Sequence, residues 1–353
     1  VLGNQSRERG EETMQVNRSE FLRRLEAVSP GVAVRETLEQ SSCFVFRDEE
    51  VLTYNEEICC RGPSLLDNSF RGAVASKPLL DMLRKITREE VSLEQQEGEL
   101  VLRDKGDEVT FTMEKEITLP VDMVEVPEEW LPLPDEFAEA VKVVGQCAGR
   151  DESQFAATCV HITPRWVEAF DNFQGCRWKL KTGVPESVLV KATSLRGLKG
   201  MGVEEFALTQ AWAHFRAPDG LVLSCRLYLQ EFKDIGPLLK EEGDTTELPR
   251  GLPEALYNAS IFSKEADTDL VLVSLTKGRL RLSGESDIGK FKSRAMKVKY
   301  EGSPISFEVS PRVLANIVAT HQECQLTKGK LRVNGGKYIY FTALGVVENR
   351  HES

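Results

Sequence analysis

Two hydrophobic rhythms alternate along the chain. Between Ser310 and Ala343 a stripe at helical spacing, formed by Val313, Leu314, Ile317 and Val318, gives way to short runs of strand-forming residues separated by turns. Ser310 is a candidate hydroxyl cap, and Pro311 suits the first helical position, where no amide donor is needed. Glycines in Thr327-Lys328-Gly329 and Asn334-Gly335-Gly336 fall where hairpins favour positive φ. The predicted unit is helix, strand, turn, strand, turn, strand.

The same order occurs twice more. From Ser76, SKPLLDMLRKI precedes strands at 91–93, 100–103 and 109–113, with turns at Glu97-Gly98 and Lys105-Gly106-Asp107. From Lys191, a weaker helix in KATSLRGLKGM precedes strands at 206–208, 212–215 and 221–228. The copies lie roughly 115 residues apart, a domain-sized period rather than a solenoid one. A companion unit fills the gaps. Helices near 21–28, 137–147 and 252–262 each lead into strands, at 43–46, 51–54 and 58–60, then 158–162, 166–170 and 176–181, then 270–275, 280–282 and 291–300. Asn17 and Glu20 have capping-box spacing before the first of these helices.

The expected class is therefore α+β, with three similar domains, each of two helices and two small antiparallel sheets. Proline and acid collect at 120–134 and 241–249, which places the domains at 14–125, 126–243 and 244–353. Residues 1–13 are polar and aperiodic and are expected to be a disordered tail or a cloning remnant, with Met14 opening the folded part.

Composition narrows the function. The 353 residues carry 45 Lys and Arg against 56 Asp and Glu, a net charge of −11. That balance speaks against nucleic acid as a partner unless the cations are segregated on one face. No apolar run approaches the roughly 20 residues of a membrane span, and the start lacks the pattern of a secretory signal, so a cytoplasmic location is expected and no membrane partner. Eight scattered cysteines without a CxxC pair read as buried free thiols. No metal or cofactor is expected. Catalytic motifs such as a P-loop, GxSxG, GxGxxG or HExxH are missing, and His161, His214, His321 and His351 lack ligand spacing. Acidic pairs such as Glu56-Glu57 and Glu204-Glu205 suit solvated surface better than acid/base chemistry. No catalytic residue is assigned, and the chain is not expected to be an enzyme.

Over nearly its whole length, from Met14 to about Leu344, the sequence resembles the bacterial DNA polymerase III beta subunit family, the sliding clamps. The resemblance is carried by MQVNRSEFLRRLEAVSPGVAVRETL, FRGAVASKPLLDMLRKI, EFAEAVKVVGQCAGRDESQFA, LYLQEFKDIGPLL and SFEVSPRVLANIV, in that order and spacing. It implies a DNA clamp fold whose two copies form a closed, six-domain ring around duplex DNA. Such a ring is a processivity factor in DNA replication, nucleoid-associated, that tethers a polymerase and its clamp loader through a short peptide.

A ring that slides must touch phosphates without reading bases. The helix segments offer Arg23, Arg24, Lys77, Arg84, Arg196 and Lys199, with Lys85, Lys142 and Arg312 beside them, while Glu94, Glu97, Asp104, Asp107, Glu108, Glu114 and Glu116 are expected on the outer sheets. By resemblance, Arg35, Arg150 and Phe155 join the DNA-contacting set. The resemblance also implies an apolar peptide cleft between the second and third domains. There the family's Thr-Asp-Gly-His-Arg-Leu is replaced by Phe173, Gln174, Gly175, Cys176, Arg177 and Trp178. Ala157 stands at a usual leucine, Lys233 and Leu238 belong to the second loop, and Ala343 and Leu344 stand near where the family ends in Pro-Met-Arg-Leu. These departures leave open a clamp-like protein with an altered cleft. Phe111 and Leu272 are the expected dimer contacts, placed on edge strands of the first and third domains.

Overall fold

The computed structural model describes residues 13–240, 243–263, 270–327 and 329–347. Most of the expected tail, Glu241 of the second boundary, Lys328 of a predicted turn and His351 lie outside these residues. Six α-helices occur among them: α1 (Arg18–Val28), α2 (Ser76–Lys85), α3 (Phe137–Val144), α4 (Gly236–Lys240), α5 (Leu252–Ser263) and α6 (Pro311–Thr320).

Helix α1 starts as its sequence suggests. The Asn17 side chain accepts the Glu20 amide at 2.9 Å, and Phe21, Leu25 and Val28 are buried along one stripe. The Glu20 carboxylate does not close the capping box; it receives Arg23 at 2.7 Å and Arg24 at 2.9 Å. Those bonds, Arg23 first, hold its pKa down to about 2. At α6 the expectation fails in part: Pro311 occupies the first turn, but the Ser310 hydroxyl makes no cap.

The chain folds as two compact units. One comprises residues up to Lys142 with Ile162–Pro164 and Lys181–Gln230; the other comprises Val143–His161, Arg165–Leu180 and residues from Glu231 onward. The division cuts through the second predicted domain, and the strand pairing shows why. In the first unit Cys43–Arg47, Glu50–Tyr54 and Ile58–Pro63 form a meander, turning at Asp48 and Glu49, which both hold positive φ. Ile58–Pro63 then pairs with Val222–Tyr228, so this sheet continues through Trp212–Arg216 and Glu205–Leu208. The second unit repeats the device. Trp166–Phe170 pairs with Gln174–Lys179, and that strand pairs with Tyr338–Ala343, Cys176 facing Tyr340. Each unit thus contains a junction where two predicted domains share one sheet.

Both boundary stretches are more ordered than proline and acid suggested. Leu131–Pro132 pairs with Glu205–Leu208, and Asp244–Glu247 pairs with Glu323–Leu326. The expected helix from Lys191 shrinks to a 3₁₀ turn at Ser194–Leu198, in a stretch punctuated by Gly197, Gly200 and Gly202, the last two at positive φ. Thr13, read as the last residue of a tail, opens a strand, Thr13–Asn17, that pairs with Glu90–Gln96.

Two further expectations are corrected. Leu272 does not lie on an edge strand: Val271–Thr276 is paired on both sides, by Arg279–Ser286 and by Ile305–Val309. The edge beyond Arg279–Ser286 is instead formed by Gly289–Lys292 and Met296–Lys297. Glu94 is buried rather than outward, and it pairs with Arg103. Phe111 does sit on an edge: Asp107–Glu114 pairs with Glu99–Asp104 along most of its length and meets Gly72–Ala75 only at its last two residues.

A candidate peptide cleft and a candidate DNA-facing surface

The second unit's junction is open. A cavity of about 450 Å³ lies over it, lined among others by Phe170, Phe173, Ile235, Leu238, Phe341 and Ala343. Its formation follows from three local devices. The Asp171 carboxylate accepts the amides of Phe173 and Gln174 at 2.7 and 2.8 Å, a turn that pushes the Phe173 ring outward until it is 70% exposed. The Phe173 carbonyl accepts the Ala343 amide at 2.6 Å, tying that turn to the end of Tyr338–Ala343. Opposite, Ile235, just before α4, and Leu239 within it are buried, while Lys330 and Arg332 donate to the carbonyls of Leu238 and Leu239 at 2.8 and 3.1 Å, satisfying the helix's last turn.

Of the residues anticipated from sequence, Phe173, Lys233, Leu238 and Ala343 line this cavity. Ala157 lines a smaller neighbour of about 160 Å³ that also takes in Arg150, Asp171, Asn172 and Phe173. The others lie beneath. Gly175 is needed because a Cβ there would meet the Phe341 ring at 2.7 Å. Cys176 and Leu344 are buried, and Trp178 is buried and stacked on Tyr338 with ring centroids 5.1 Å apart. Arg177 acts from behind the wall. Its Nε donates to buried Glu168 at 2.5 Å, its Nη2 to Asp234 at 3.2 Å, and its guanidinium covers the Trp166 ring at 4.5 Å. Glu168 also receives Trp166 Nε1 at 3.0 Å and faces His161 Nδ1 at 2.9 Å. The Gly236 amide and then Arg177 hold the Asp234 carboxyl below its ordinary range. This cluster fixes the Lys233–Ile235 wall. Ile235 belongs to the loop that the resemblance placed in the cleft, and it lines the cavity too; sequence reasoning missed Phe170 and Phe341, whose apolar character alone could not separate cleft wall from core.

The cationic residues fall into two groups. Arg23 and Arg24 share Glu20, Arg84 bonds Glu26 across α1 and α2 at 2.9 Å, and Lys142 bonds Glu139 at 2.9 Å. Arg35, Lys77, Arg150, Arg196 and Lys199 are exposed, and no described residue forms an ion pair with them. In the first unit the 3₁₀ turn bearing Arg196 abuts the end of α1, where a Cβ on Gly197 would stand 3.2 Å from Pro30. Phe155 is half-buried in the 3₁₀ segment Glu152–Thr158, and the backbone there carries the Thr158 hydroxyl on its carbonyl at 2.7 Å. All eight cysteines are buried and free, as composition suggested. No helix is long and apolar enough to cross a membrane, and among the described residues no three His, Cys, Asp or Glu side chains gather to hold a metal.

Comparison with solved structures decides the fold. The chain superposes on the Thermotoga maritima DNA polymerase III beta subunit with a TM-score of 0.80, covering 95% of this chain and 100% of that one at 16% identity. The fold is that of a bacterial sliding clamp. A Pseudomonas aeruginosa sliding clamp bound to griselimycin matches equally, with a TM-score of 0.80, 15% identity and coverage of 95% and 99%. The Streptococcus pyogenes beta subunit matches at 0.79 with 17% identity over 96% and 100%. No protein-family model matches the chain, and no curated protein does. At such identities the clamp fold is preserved by burial pattern and strand order while most side chains differ.

Proposed function

We propose that this protein is a DNA sliding clamp, a non-enzymatic processivity factor of replication in the bacterial cytoplasm. Two copies of three domains, near 14–125, 126–243 and 244–353, close around duplex DNA, and partners such as a polymerase and clamp loader dock a short peptide in the cleft of the second unit. The observation that carries this reading is the open cavity at one sheet junction of a full-length clamp fold. An apolar groove with a few polar groups at its rim, Lys233 and Asp171 here, suits a short peptide anchored by apolar side chains.

DNA is held by topology rather than affinity. Exposed cations with no ion-pair partner among the described residues, Arg35, Lys77, Arg196 and Lys199 with Arg150, meet phosphates; the paired Arg23, Arg24 and Arg84 contribute less because Glu20 and Glu26 already neutralise them. Phe155 joins them at the strand path. Retention of the protein on circular duplex, with release on linearisation, tests the ring. Arg35→Ala with Arg150→Ala should weaken retention equally on all sequences and flatten its salt dependence. Equal retention on linear and circular DNA would overturn the clamp reading.

A further inference from the structure

The sheet face that carries the cleft continues past the cleft's wall. Side chains alternate along a strand, so Gly175, Arg177 and Lys179 share one face of Gln174–Lys179; opposite the first two, on Tyr338–Ala343, are Phe341 and Ile339. One step past that register, the Lys179 amide donates to the Lys337 carbonyl at 2.9 Å, which makes the two lysines direct cross-strand neighbours, and Trp166 lies opposite Lys179 on its other side. Both lysines are exposed. Like charges directly opposite one another destabilise a sheet. The carboxylates on the same side of the wall do not relieve them: Glu168 and Asp234 are taken up by Arg177, while Glu323 and Glu247 stand on the second and third strands beyond Tyr338–Ala343, where Lys299 bonds Glu247. A chain of net charge −11 thus sets two ammonium groups side by side on the face that holds its apolar cavity.

Lys337 is four residues from Phe341, a lining residue of the cavity, or about 13 Å along the strand at roughly 3.3 Å per residue. Lys233, exposed on the wall between them, adds a third cation along the way. We propose that Lys179 and Lys337 anchor acidic residues that flank the docked peptide, about four extended positions from the side chains that fill the cavity; the inference rests on the peptide reading above and specifies the class of partner, apolar where it enters the cleft and acidic at one end. A carboxylate seated between the two ammonium groups offsets their repulsion and accepts charge-assisted bonds from both. Because the lysines are solvent-facing, the gain is modest and screened by salt. The anchor therefore ranks competing peptides that share the same apolar core, and it does not hold any of them by itself.

A fluorescent clamp-binding peptide from a polymerase subunit, extended by four residues at one end or at the other, tests the anchor. The extensions finish in Glu-Glu or in Gln-Gln, and their affinities for the unaltered protein are compared with those for Lys179→Ala with Lys337→Ala, with melting curves to establish folding. At low salt the Glu extension at one of the two ends should bind at least about threefold tighter than its Gln counterpart. That advantage should vanish at high salt and in the double variant, while the affinity of the Gln peptides stays the same. Lys179→Glu is the second variant: it sets opposite charges across the strands, so its melting temperature should not fall, yet the preference for Glu should be lost or reversed. Gln peptides that bind with no gain from Glu at either end would overturn the anchor and leave the cleft intact. So would a gain that the double variant keeps, or a single-stranded oligonucleotide that depends on the two lysines when the Glu extensions do not, which would assign the pair to phosphate. Failure of every peptide to bind would overturn the peptide reading and the anchor with it.

Discussion

The two sheet junctions are built alike and finished differently. In the first unit, the linker after Asp107–Glu114 lays Leu119, Val121 and Val124 over the joined sheet, where they pack with Cys43, Leu52, Tyr54 and Trp212 into a closed core. In the second, the corresponding linker packs Ile235 and Leu239 against Phe341, while Leu238 stays 43% exposed beside the open cavity. A shared architecture yields core where the linker supplies three apolar residues in register and an open groove where it supplies two and a cation. The cleft is in this sense an unfinished core, and its apolar lining follows from that.

The largest test attacks the filled junction. Trp212 is almost wholly buried, its ring 6.1 Å from Tyr54 and covered by Arg226 at 4.8 Å. Trp212→Ala should cost about 3–5 kcal/mol, as large-to-small core changes do, measured as a shift in the urea midpoint. A cost below about 1 kcal/mol would mean that the first junction is as loosely filled as the second.

Next in size is an acid effect seated in the same sheet. His214 is buried with Nδ1 2.8 Å from the Ser224 hydroxyl and Nε2 3.0 Å from that of Thr209, and burial lowers its pKa to about 4, against an opposing pull from Glu125 and a further push from Arg61. The unfolded chain takes up this proton near pH 6.5 while the folded one does not. Stability is therefore complete above about pH 6.5 and falls as pH drops toward 4, by at most about 3 kcal/mol. Urea titrations at pH 7 and 4.5 should show that loss, and His214→Asn should flatten it even if it lowers stability throughout. A wild-type slope that the variant keeps would place the titration elsewhere.

What could be read from the sequence follows the physics of each element. Helices α1, α2, α5 and α6 and the hairpins announced themselves because apolar spacing and turn chemistry are local. The boundary strands did not, since Leu131–Pro132 and Asp244–Glu247 become strands only by joining a sheet that is distant in sequence. Leu272 was placed on an edge for the same reason: alternation identifies a strand but not how many neighbours it has. Within the cleft, resemblance located Phe173, Lys233, Leu238 and Ala343, while Arg177 and Trp178 proved to stand behind the wall. A partner such as Glu168, seven residues from His161 and nine from Arg177, cannot be inferred until the sheet brings the three together.

The difference between the linkers can be probed at their fastenings. Gln40, buried at φ 62°, donates to the Glu116 carbonyl at 2.7 Å and accepts the amides of Thr118 and Leu119 at 2.9 and 3.3 Å, holding the first linker down. Gln40→Ala leaves the buried Leu119 amide and the part-buried Thr118 amide and Glu116 carbonyl without this partner, at a cost of about 1–3 kcal/mol. Hydrogen exchange should accelerate selectively at the amides of Thr118 and Leu119. Uniform acceleration across the unit would show that the linker is not a separable cover.

The smallest stability effect is the most discriminating, because it asks whether the second junction is meant to be filled from outside. Phe173 projects from its turn, and what fastens that turn is the Asp171 carboxylate and the Phe173 carbonyl, both of which survive loss of the ring. Phe173→Ala should therefore change stability by no more than about 0.5 kcal/mol. Yet the ring borders both cavities, so a peptide seated across them loses its main aromatic contact there. Affinity for a fluorescent clamp-binding peptide taken from a polymerase subunit should fall by at least about tenfold, equivalent to about 1.4 kcal/mol. Stability lost on the scale of Trp212→Ala would make Phe173 part of a closed core like that of the first junction. Unchanged stability with unchanged peptide affinity would leave the cavity a packing defect, and the contrast between a finished and an unfinished junction would carry no functional meaning.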